Sequence, residues 1–445
     1  MASNGSNLPP GPRYPSVVML YLSARRTQAI LEYSQKKFGD IFTFRVIRGT
    51  RLVFVSDPAL IGEVFGADGD VLIGDRGIVA LVGKHSLPVV SGLGHTRARK
   101  LLAPPFESDH VQRYREMMER VCNEEIADWP LREPVALYPR LENITFGVVV
   151  NAVFGVQGGP ELEPLSAAFG EMLAYRDKPI AAAMFNVMPR GSKPPKSFQR
   201  MIEAYNTEVY KAIERARQDP RLEERDDILA TLVRSKHQDD GSPTTEEEIR
   251  DHVTTLLIQG HVSTATATSW ALERLVRHPE ALERLREEAQ TDSEEYLEAV
   301  INETLRLRPP VPVVVREVAK PFPLGGYELE PGMLVGCNGF GVQRREDLWP
   351  EPLAFRPERW LNGEPPAKNT WIPFGGGPRH CIGRNFATLE MKVVLRTLMQ
   401  QFRIATTEEP GERSQRRGIG WIPKDGAKVV LEERMRASGA APAPV

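Results

Sequence analysis

The stretch Phe374-Gly375-Gly376-Gly377-Pro378-Arg379-His380-Cys381-Ile382-Gly383 decides the interpretation of this chain. Its glycines allow backbone conformations that other residues avoid, and they leave room for a large planar group against the main chain. Cys381 lies just before a helical pattern that begins at Arg384, and the amides and dipole of a helix N-terminus favour a thiolate. The stretch therefore indicates a chemically active cysteine in a glycine-rich loop.

Two other kinds of site are less compatible with this loop. A phosphate-binding loop is excluded because no Gly-Lys-Ser/Thr follows the glycines. A catalytic pair of Cys381 with His380 is conceivable, but adjacent residues in an extended segment point to opposite sides. A lone thiolate is therefore favoured over such a pair.

Composition narrows the class of protein. The chain has 445 residues, and its 57 Lys and Arg against 59 Asp and Glu give a net charge of −2. This balance excludes the broad cationic field that non-specific nucleic-acid binding requires, so no nucleic-acid partner is expected. With 41% hydrophobic and 26% charged residues, the sequence is typical of a soluble protein with a large core. The cysteines Cys122, Cys337 and Cys381 form neither a disulfide framework nor a four-cysteine metal site.

The chain shows no targeting or membrane signal. Its longest early apolar run, Val17 to Leu22, is far shorter than the ~20 residues of a membrane span. The first seven residues lack the basic and apolar parts of a secretory signal. We therefore expect a cytoplasmic protein without a membrane span, ending in a disordered Ala/Pro/Gly-rich tail at 436–445.

The order of patterns predicts a mainly α protein with a small β portion. Two β-rich runs, Ile41 to Val46 and Arg51 to Ser56, predict a hairpin, and Asp57-Pro58 then predicts the start of a helix. Helical patterns dominate as far as Pro309. The next segment, up to Pro378, holds 13 of the 37 prolines and a strand-like run at Met333 to Cys337. A helix resumes at Arg384 and runs to about Phe402. We predict one domain over residues 8–435, with β-rich portions near 41–56 and 311–342.

A long central helix is the next predicted element. Thr244 and Thr245 precede Glu247 and Glu248 as possible capping boxes, and apolar residues then recur at helical spacing until Pro279. The central part of this segment has very few charged residues, and a helix of that kind is normally buried on all sides. Gly260, in its middle, indicates either tight helix packing or close approach of the backbone to a flat ligand. Ser263 and Thr264 offer hydroxyl groups beside it.

A possible ion pair lies on the helix predicted from Tyr296 to Leu307. Glu303 and Arg306 are three positions apart on one face, which alone usually means only a solvated surface. The sequence Pro357-Glu358-Arg359 further on makes a structural role more plausible once the cysteine loop is considered with it.

Together these motifs resemble the cytochrome P-450 superfamily of heme-thiolate monooxygenases. The cysteine loop matches the family signature Phe-Gly-x-Gly-x-Arg-x-Cys-x-Gly at every fixed position, and Glu303-x-x-Arg306 and Pro357-Glu358-Arg359 are similar to its other two marks in order and spacing. The resemblance extends to about Arg434 and is closest to soluble actinobacterial members. It implies the P-450 fold, with heme b between the central helix and the cysteine loop.

The resemblance also implies residue roles. Cys381 would be the axial ligand to the heme iron, and thiolate ligation favours O–O cleavage. Glu303, Arg306 and Arg359 would form a structural ion-pair cluster. The residues that would contact heme are His95, Arg99, Gly260, Arg316, Phe374, Arg379 and Gly383. Of these, His95, Arg99, Arg316 and Arg379 would meet its propionates. Ser263 and Thr264 would be catalytic, because their hydroxyl groups would lie beside dioxygen.

The central helix departs from the family pattern. The usual acid is Val262 and the first threonine is Ser263, so only a hydroxyl of the usual proton relay survives. His261 is a substitute for the acid only if it faces the same way, yet it lies about 100° round the helix. The enzyme would then be a hydroxylase using Ser263 and water, a peroxide-using or poorly coupled enzyme, or a catalyst of a non-hydroxylating reaction.

The function implied by the resemblance is insertion of one oxygen atom of O₂ into an apolar organic substrate by a monomeric enzyme. Electrons would come from NAD(P)H through a ferredoxin and its reductase, since no stretch is left for a flavin or iron–sulfur domain; docking would be near Arg97, Lys100 and Arg384. The substrate pocket would be lined by Val71 to Leu93, Met172 to Met188 and the central helix. A heme protein that senses a gas or sequesters a lipid without turnover is the rival interpretation.

Overall fold

The computed structural model describes residues 8–45, 50–74, 76–155, 160–177, 193–361, 364–407 and 409–435. Helices dominate the described chain. In chain order they are α1 (Ser16–Arg25), α2 (Thr27–Phe38), α3 (Pro58–Gly66), α4 (Val79–Val82), α5 (Gly92–Leu102), α6 (Ser108–Val111), α7 (Arg115–Ile126), α8 (Leu137–Phe154), α9 (Glu163–Asp177), α10 (Lys196–Gln218), α11 (Ile228–Arg234), α12 (Glu246–Leu275), α13 (Pro279–Ala289), α14 (Glu295–Leu307), α15 (Gly339–Val342) and α16 (Arg384–Gln401).

The strands are short, and most lie at the two ends of the chain. They are β1 (Ile41–Arg45), β2 (Arg51–Val55), β3 (Leu72–Ile73), β4 (Pro134–Ala136), β5 (Val313–Val318), β6 (Phe322–Leu324), β7 (Tyr327–Leu329), β8 (Leu334–Asn338), β9 (Phe402–Thr406), β10 (Ser414–Arg417), β11 (Gly420–Pro423) and β12 (Lys428–Arg434). In the described chain, the largest sheet has five strands in the order β1-β2-β8-β5-β3. Its β2–β8 pair is parallel and its other pairs are antiparallel.

The hairpin and the following helix confirm the N-terminal predictions. β1 and β2 pair antiparallel, with Phe42 opposite Phe54. The Asp57 side chain then accepts hydrogen bonds from the amides of Ala59 at 2.8 Å and Leu60 at 3.1 Å, which caps α3. The predicted strand at Met333 to Cys337 is β8, displaced by one residue.

The central helix α12 confirms the capping-box prediction. Thr245 and Glu248 form the reciprocal pair, with the Glu248 carboxylate accepting from the Thr245 amide at 2.9 Å. The helix ends at Leu275, before the Pro279 that was expected to stop it. It packs along α8 and also against α10, α14 and α16, which explains why so few of its residues are charged.

The buried apolar residues of the described chain form three hydrophobic clusters. The largest is built by the helices around α12, and smaller clusters lie under the five-stranded sheet. The segment from Pro309 to Pro378, which looked irregular in the sequence, carries β5 to β8, and β5 and β8 are two of the five strands of the largest sheet. A further sheet, ordered β4-β12-β9, joins chain segments far apart in sequence and was not predicted. The predicted tail at 436–445 lies outside the described residues.

Candidate active site

The glycine-rich loop before α16 turns tightly against α3. Gly377 has a φ of +64°, and a Cβ there would lie 2.0 Å from the carbonyl oxygen of Phe65. Only glycine fits such a position, both for backbone conformation and for space. The loop closes where the amide of Cys381 donates to the carbonyl of Phe374 at 2.8 Å. These contacts correct one expectation. The space that the absent side chain leaves at Gly377 is occupied by other protein atoms, so it does not accommodate a planar ligand.

Cys381 lies at the end of this loop, with its side chain accessible to solvent in a setting otherwise enclosed by protein. Burial raises the pKa of its thiol, while the Gly383 amide and the guanidinium groups of Arg99 and Arg384 lower it by smaller amounts. The amide at the helix N-terminus therefore favours the thiolate as expected, but burial outweighs it. A bound metal cation would reverse the balance, because a coordinating thiol is deprotonated outright.

Three cationic or potentially cationic side chains converge beside the cysteine loop. Burial and the charge of Arg316 lower the pKa of Arg379 to about 10. Burial lowers the pKa of His95 to about 4, and Arg379 adds to that effect. Among the described residues, the acceptors of Arg379 are neutral: the Val90 carbonyl at 2.6 Å and the Ser91 hydroxyl at 3.0 Å.

This cluster is the test of whether heme fits. Within the described residues, no carboxylate forms an ion pair with Arg316 or Arg379, although burying unpaired charge is costly. A ligand that carries carboxylates would supply the missing partners. Heme has two propionates as well as an iron that takes a thiolate. The residues present therefore fit heme.

Arg99 lies between the cluster and the cysteine loop. Its guanidinium donates to the His380 carbonyl at 2.8 Å and lies 2.7 Å from the Nε2 atom of the same residue. The His380 Nδ1 atom is 3.0 Å from the Gly377 carbonyl. Arg99 thus holds the loop directly, which sequence reasoning had not suggested. These contacts of the His380 ring also disfavour a Cys–His catalytic pair.

Phe374 and Gly383 frame the loop. The Phe374 ring meets the Trp371 ring edge-on at 6.1 Å, and the Arg384 guanidinium lies 5.7 Å from the Phe374 ring centroid. Gly383 is the N-cap residue of α16. Both residues therefore fix where the cysteine sits relative to the helix.

The hydroxyl groups predicted on α12 are present and locally bonded. Ser263 donates to the Gln259 carbonyl at 3.0 Å, and Thr264 donates to the Gly260 carbonyl at 3.2 Å. Each hydroxyl therefore keeps its lone pairs free to accept a hydrogen bond. Ser263 is partly accessible, whereas Thr264 is only 3% exposed.

Gly260 was open to two interpretations, and the structure supports helix packing. A Cβ at Gly260 would lie 2.9 Å from a Val149 methyl on α8. The small residue thus permits close contact of α8 and α12. Its assignment as a cofactor contact stays a prediction.

His261 does not replace the acid that is missing at Val262. Its ring is 3% exposed, and its Nδ1 atom lies 2.6 Å from the Leu257 carbonyl. The ring packs edge-on against Phe146 at 5.6 Å and Phe169 at 5.7 Å, on the side of α12 that meets α8 and α9. The hypothesis that His261 takes the role of the missing acid is therefore wrong.

The ion-pair cluster expected from the motifs is confirmed. Arg306 and Glu303 are fully buried, and the Glu303 carboxylate also accepts from Arg359 Nε at 3.0 Å. The Trp360 indole and the Arg356 amide, which were not predicted, add hydrogen bonds at 3.0 and 2.9 Å. A solvated helix face is excluded. The cluster fastens α14 to the chain leading into the cysteine loop.

Sequence reasoning missed one buried acid. Glu390 on α16 is 1% exposed, and neither carboxylate oxygen has a well-formed hydrogen bond to a described residue. Its neighbours on the inner face, Leu389, Val393 and Val394, are apolar and buried. A lone glutamate at helical spacing among such residues is a signal that the sequence does carry.

Only part of the expected substrate lining lies among the described residues. Leu93, at one end of the range from Val71, is 89% exposed and faces solvent. Met172 is fully buried in α9, while residues 178–188 of the range ending at Met188 lie outside the described residues.

In the described chain, no helix combines the length and apolar character needed to cross a membrane.

Comparison with known proteins agrees with the geometry. A family model described as Cytochrome P450 matches residues 9–429. A Mycobacterium tuberculosis protein named putative cytochrome P450 135B1 is 34% identical, covering 98% of this chain and 93% of its own length. Putative cytochrome P450 138 of the same species is 35% identical, with 96% and 97% covered.

Solved structures show the same fold. Retinoic acid-bound cyanobacterial CYP120A1 superposes with a TM-score of 0.81 at 26% identity, covering 96% of this chain and all of that one. The cytochrome P450DA heme domain gives a TM-score of 0.82 at 21% identity, with 98% and 99% covered. The second likeness concerns the fold alone.

Proposed function

The chain belongs to the cytochrome P450 family of heme monooxygenases, and from that premise we propose that it inserts one oxygen atom of O₂ into an apolar organic substrate. The observation that carries the proposal is a solvent-accessible Cys381 beside buried arginines that have no described anionic partner. That donor set suits a ligand with a thiolate-binding metal and two carboxylates.

The residues would hold heme from three directions. Cys381 would bind the iron, and Phe374 and Gly383 would set the position of the loop that carries it. His95, Arg316 and Arg379 would meet the propionates, with Arg99 bracing the loop from its contact with His380. When bound, heme supplies the centre at which dioxygen is activated and one oxygen atom is transferred.

The rest of the chain orients substrate and controls water. Ser263 and Thr264 present hydroxyl oxygens on the central helix, and Val262 is a partly accessible apolar side chain between them and His261. Part of β5, Val313 to Val315, is also partly accessible and apolar. An apolar substrate class agrees with these surfaces, and a structural neighbour at 26% identity binds retinoic acid.

Electrons would come from NAD(P)H through an external donor such as a ferredoxin with its reductase. Exposed Lys100 and Arg384 lie on the cysteine side and suit an acidic partner. Arg97 is a poorer candidate than the sequence suggested, because its guanidinium contacts the Asp240 carboxylate at 3.1 Å. Docking is therefore centred on Lys100 and Arg384.

The test is a labelled turnover. Apolar compounds are screened for a shift in the heme spin state, and those that bind are incubated with NAD(P)H, a ferredoxin, its reductase and isotopically labelled O₂. The proposal requires one labelled oxygen atom in the organic product and the other in water. Product formed only with added peroxide would indicate a peroxide-using enzyme, and reversible ligand binding without product would indicate a sensor; either result overturns the proposal.

A further inference from the structure

The outward side of helix α1 presents apolar side chains to solvent. Met19 and Leu22 point inward and pack in the hydrophobic cluster beside the β1–β2 hairpin. Val17, Val18 and Tyr21 lie elsewhere on the helix, where Val17 is 75% exposed and Tyr21 is 60% exposed. A helix with apolar residues all round is normally buried, so one side of α1 has the composition of a covered surface without the cover.

Two exposed tyrosines extend this apolar surface. Tyr14 lies just before α1, and Tyr33 lies on α2. The Lys37 ammonium donates a hydrogen bond to the Tyr33 hydroxyl at 2.8 Å, which raises the pKa of Lys37, and Tyr14 adds to that effect from nearby. The apolar side chains of α1 and α2 thus form one surface, which we call the N-terminal face: Tyr14, Val17, Val18, Tyr21 and Tyr33.

Large apolar side chains are concentrated in this face. Nine of them are exposed in the described chain, and five of the nine belong to the N-terminal face, within 20 residues of sequence. The other four are scattered singly: Leu93, Leu131, Leu353 and Ile419. Exposed apolar residues that stand alone need no explanation, whereas a contiguous patch indicates an interaction surface.

Positive charge accompanies the N-terminal face. Residues 1–38 contain five Lys and Arg against one acid, which gives this segment a net charge of +4 in a chain whose total is −2. All five basic residues are exposed: Arg13, Arg25, Arg26, Lys36 and Lys37. The acid, Glu32, lies 3.5 Å from the Arg344 guanidinium, so its charge is balanced from another part of the fold. The surface therefore combines apolar side chains with a cationic rim.

An anionic lipid surface suits this combination better than the other possible occupants. Apolar and tyrosine side chains can enter the boundary between headgroups and acyl chains, while arginine and lysine meet the lipid phosphates. A second copy of the chain would bring the same positive charge against the face and be repelled. The two chain ends outside the described residues, 1–7 and 436–445, contain no acidic residue that would complement it.

We propose that the N-terminal face binds the surface of a membrane that contains anionic lipid. Helix α1 lies in the plane of the headgroups, with Val17 and Tyr21 directed toward the acyl chains and Arg25 and Arg26 at the phosphates. The protein rests on the membrane in this way and no segment crosses it. This binding is separate from the proposed insertion of oxygen, so either one can fail while the other stands.

The test is cosedimentation of the heme-loaded full chain with vesicles. Vesicles of phosphatidylcholine alone are compared with vesicles that also contain phosphatidylglycerol, at low and at high salt. We expect binding to the phosphatidylglycerol vesicles, weaker at high salt because ions screen the attraction, and little binding to phosphatidylcholine alone. Hydrogen exchange of the bound protein should show added protection in residues 14–37.

Two double variants separate the apolar contribution from the charged one. Val17→Ser with Tyr21→Ser removes apolar surface and should weaken vesicle binding by at least about 10-fold. Arg25→Glu with Arg26→Glu reverses two charges. Each basic residue near an anionic surface contributes about 5-fold, so the loss should be about 25-fold or more. Leu353→Ser is the matched control, because Leu353 is also exposed but lies outside the face, and it should bind as the wild type does.

The outcomes decide between the lipid surface and its alternatives. All the substituted side chains are exposed, so heme content and thermal stability should match the wild type, and if one double variant fails to fold the other still decides. A wild type that does not bind phosphatidylglycerol vesicles, or binding that both double variants retain, overturns the proposal.

Two further results would assign the face to a different occupant and also overturn the proposal. Dimers that the Val17→Ser, Tyr21→Ser variant abolishes, without vesicle binding, would indicate a second copy of the chain. Binding to soluble heparin as tight as to vesicles, and unaffected by the serine substitutions, would indicate a purely electrostatic surface for a soluble polyanion.

Discussion

The guanidinium of Arg306 and the carboxylate of Glu303 are joined by two hydrogen bonds of 2.8 Å, and neither side chain has exposed surface. Arg306 further donates to the carbonyls of Gln343, Pro352 and Ala354 at 2.9, 2.7 and 3.1 Å. The pair thus fixes α14, the loop after α15 and the chain leading to the cysteine loop relative to one another.

Removing one partner should be far more damaging than the short sequence spacing suggests. Arg306→Ala leaves the Glu303 charge buried without its main partner, and we expect a loss of about 3–5 kcal/mol in the free energy of unfolding. Urea unfolding measures it. The matched control is Lys211→Ala, which breaks a pair of the same spacing with Glu208 on the exposed face of α10 and should cost less than about 1 kcal/mol. Equal losses in the two variants would contradict this account.

Gly260 permits close packing of α8 and α12. For this reason we expect Gly260→Ala to lower the stability of the protein, whereas helix propensity alone predicts that it raises it. Alanine is favoured over glycine in a helix by about 1 kcal/mol, yet overpacking costs about 1–3 kcal/mol. We expect Gly260→Ala to be destabilising because of the 2.9 Å contact with Val149, and Val149→Ala to relieve that cost in the double variant. Thermal unfolding of the three variants tests this. A more stable Gly260→Ala single variant would show that the helices can separate freely.

His252 on α12 should make stability depend on pH. It is 2% exposed with its Nδ1 atom unpartnered by described residues, and burial lowers its pKa to about 4. Between pH 6.5 and 4 the unfolded chain binds a proton that the folded chain does not, so stability falls as pH falls through this window, by up to about 3 kcal/mol.

The measurement for His252 is urea unfolding at several pH values for wild type and His252→Gln. The variant cannot take up that proton, so its stability should fall less between pH 6.5 and 4. Parallel curves for the two proteins would contradict the assignment.

Position 262 offers a test of proton supply to the active site. Val262→Asp places an acid where the family usually has one, and we expect it to change the ratio of NAD(P)H consumed to product formed without loss of heme. Val262→Asn, similar in size but unable to supply a proton, is the control. An unchanged ratio in Val262→Asp would remove position 262 from the mechanism.

Much of the fold and the cysteine could be predicted because their signals are local. The β1–β2 hairpin, the Asp57 cap and the Thr245–Glu248 capping box depend on residues close in sequence. Cys381 and Arg379 were identified by a motif whose spacing is itself the signal. The pairing of β4 with β12 could not be found in this way, because the two strands are nearly three hundred residues apart in the chain.

The site was harder to predict where a residue's role depends on what it faces across the fold. The apolar neighbours of Gly260 and His261 in sequence did not reveal that both meet α8. Arg99 was expected at a propionate, and its contact with His380 emerges only in three dimensions. Glu390 was overlooked although its apolar neighbours Leu389, Val393 and Val394 carry a signal in the sequence; that neither of its oxygens has a described partner shows only in the structure.

The central claim is that the sulfur of Cys381 ligates heme iron as a thiolate. The purified, heme-loaded protein is reduced under carbon monoxide and its absorption spectrum recorded, with Cys381→Ser as the comparison. We predict the strongly red-shifted Soret band of a sulfur-ligated ferrous carbonyl in the wild type and its loss in the variant. A well-folded, heme-loaded wild type that never shows this band would contradict the account.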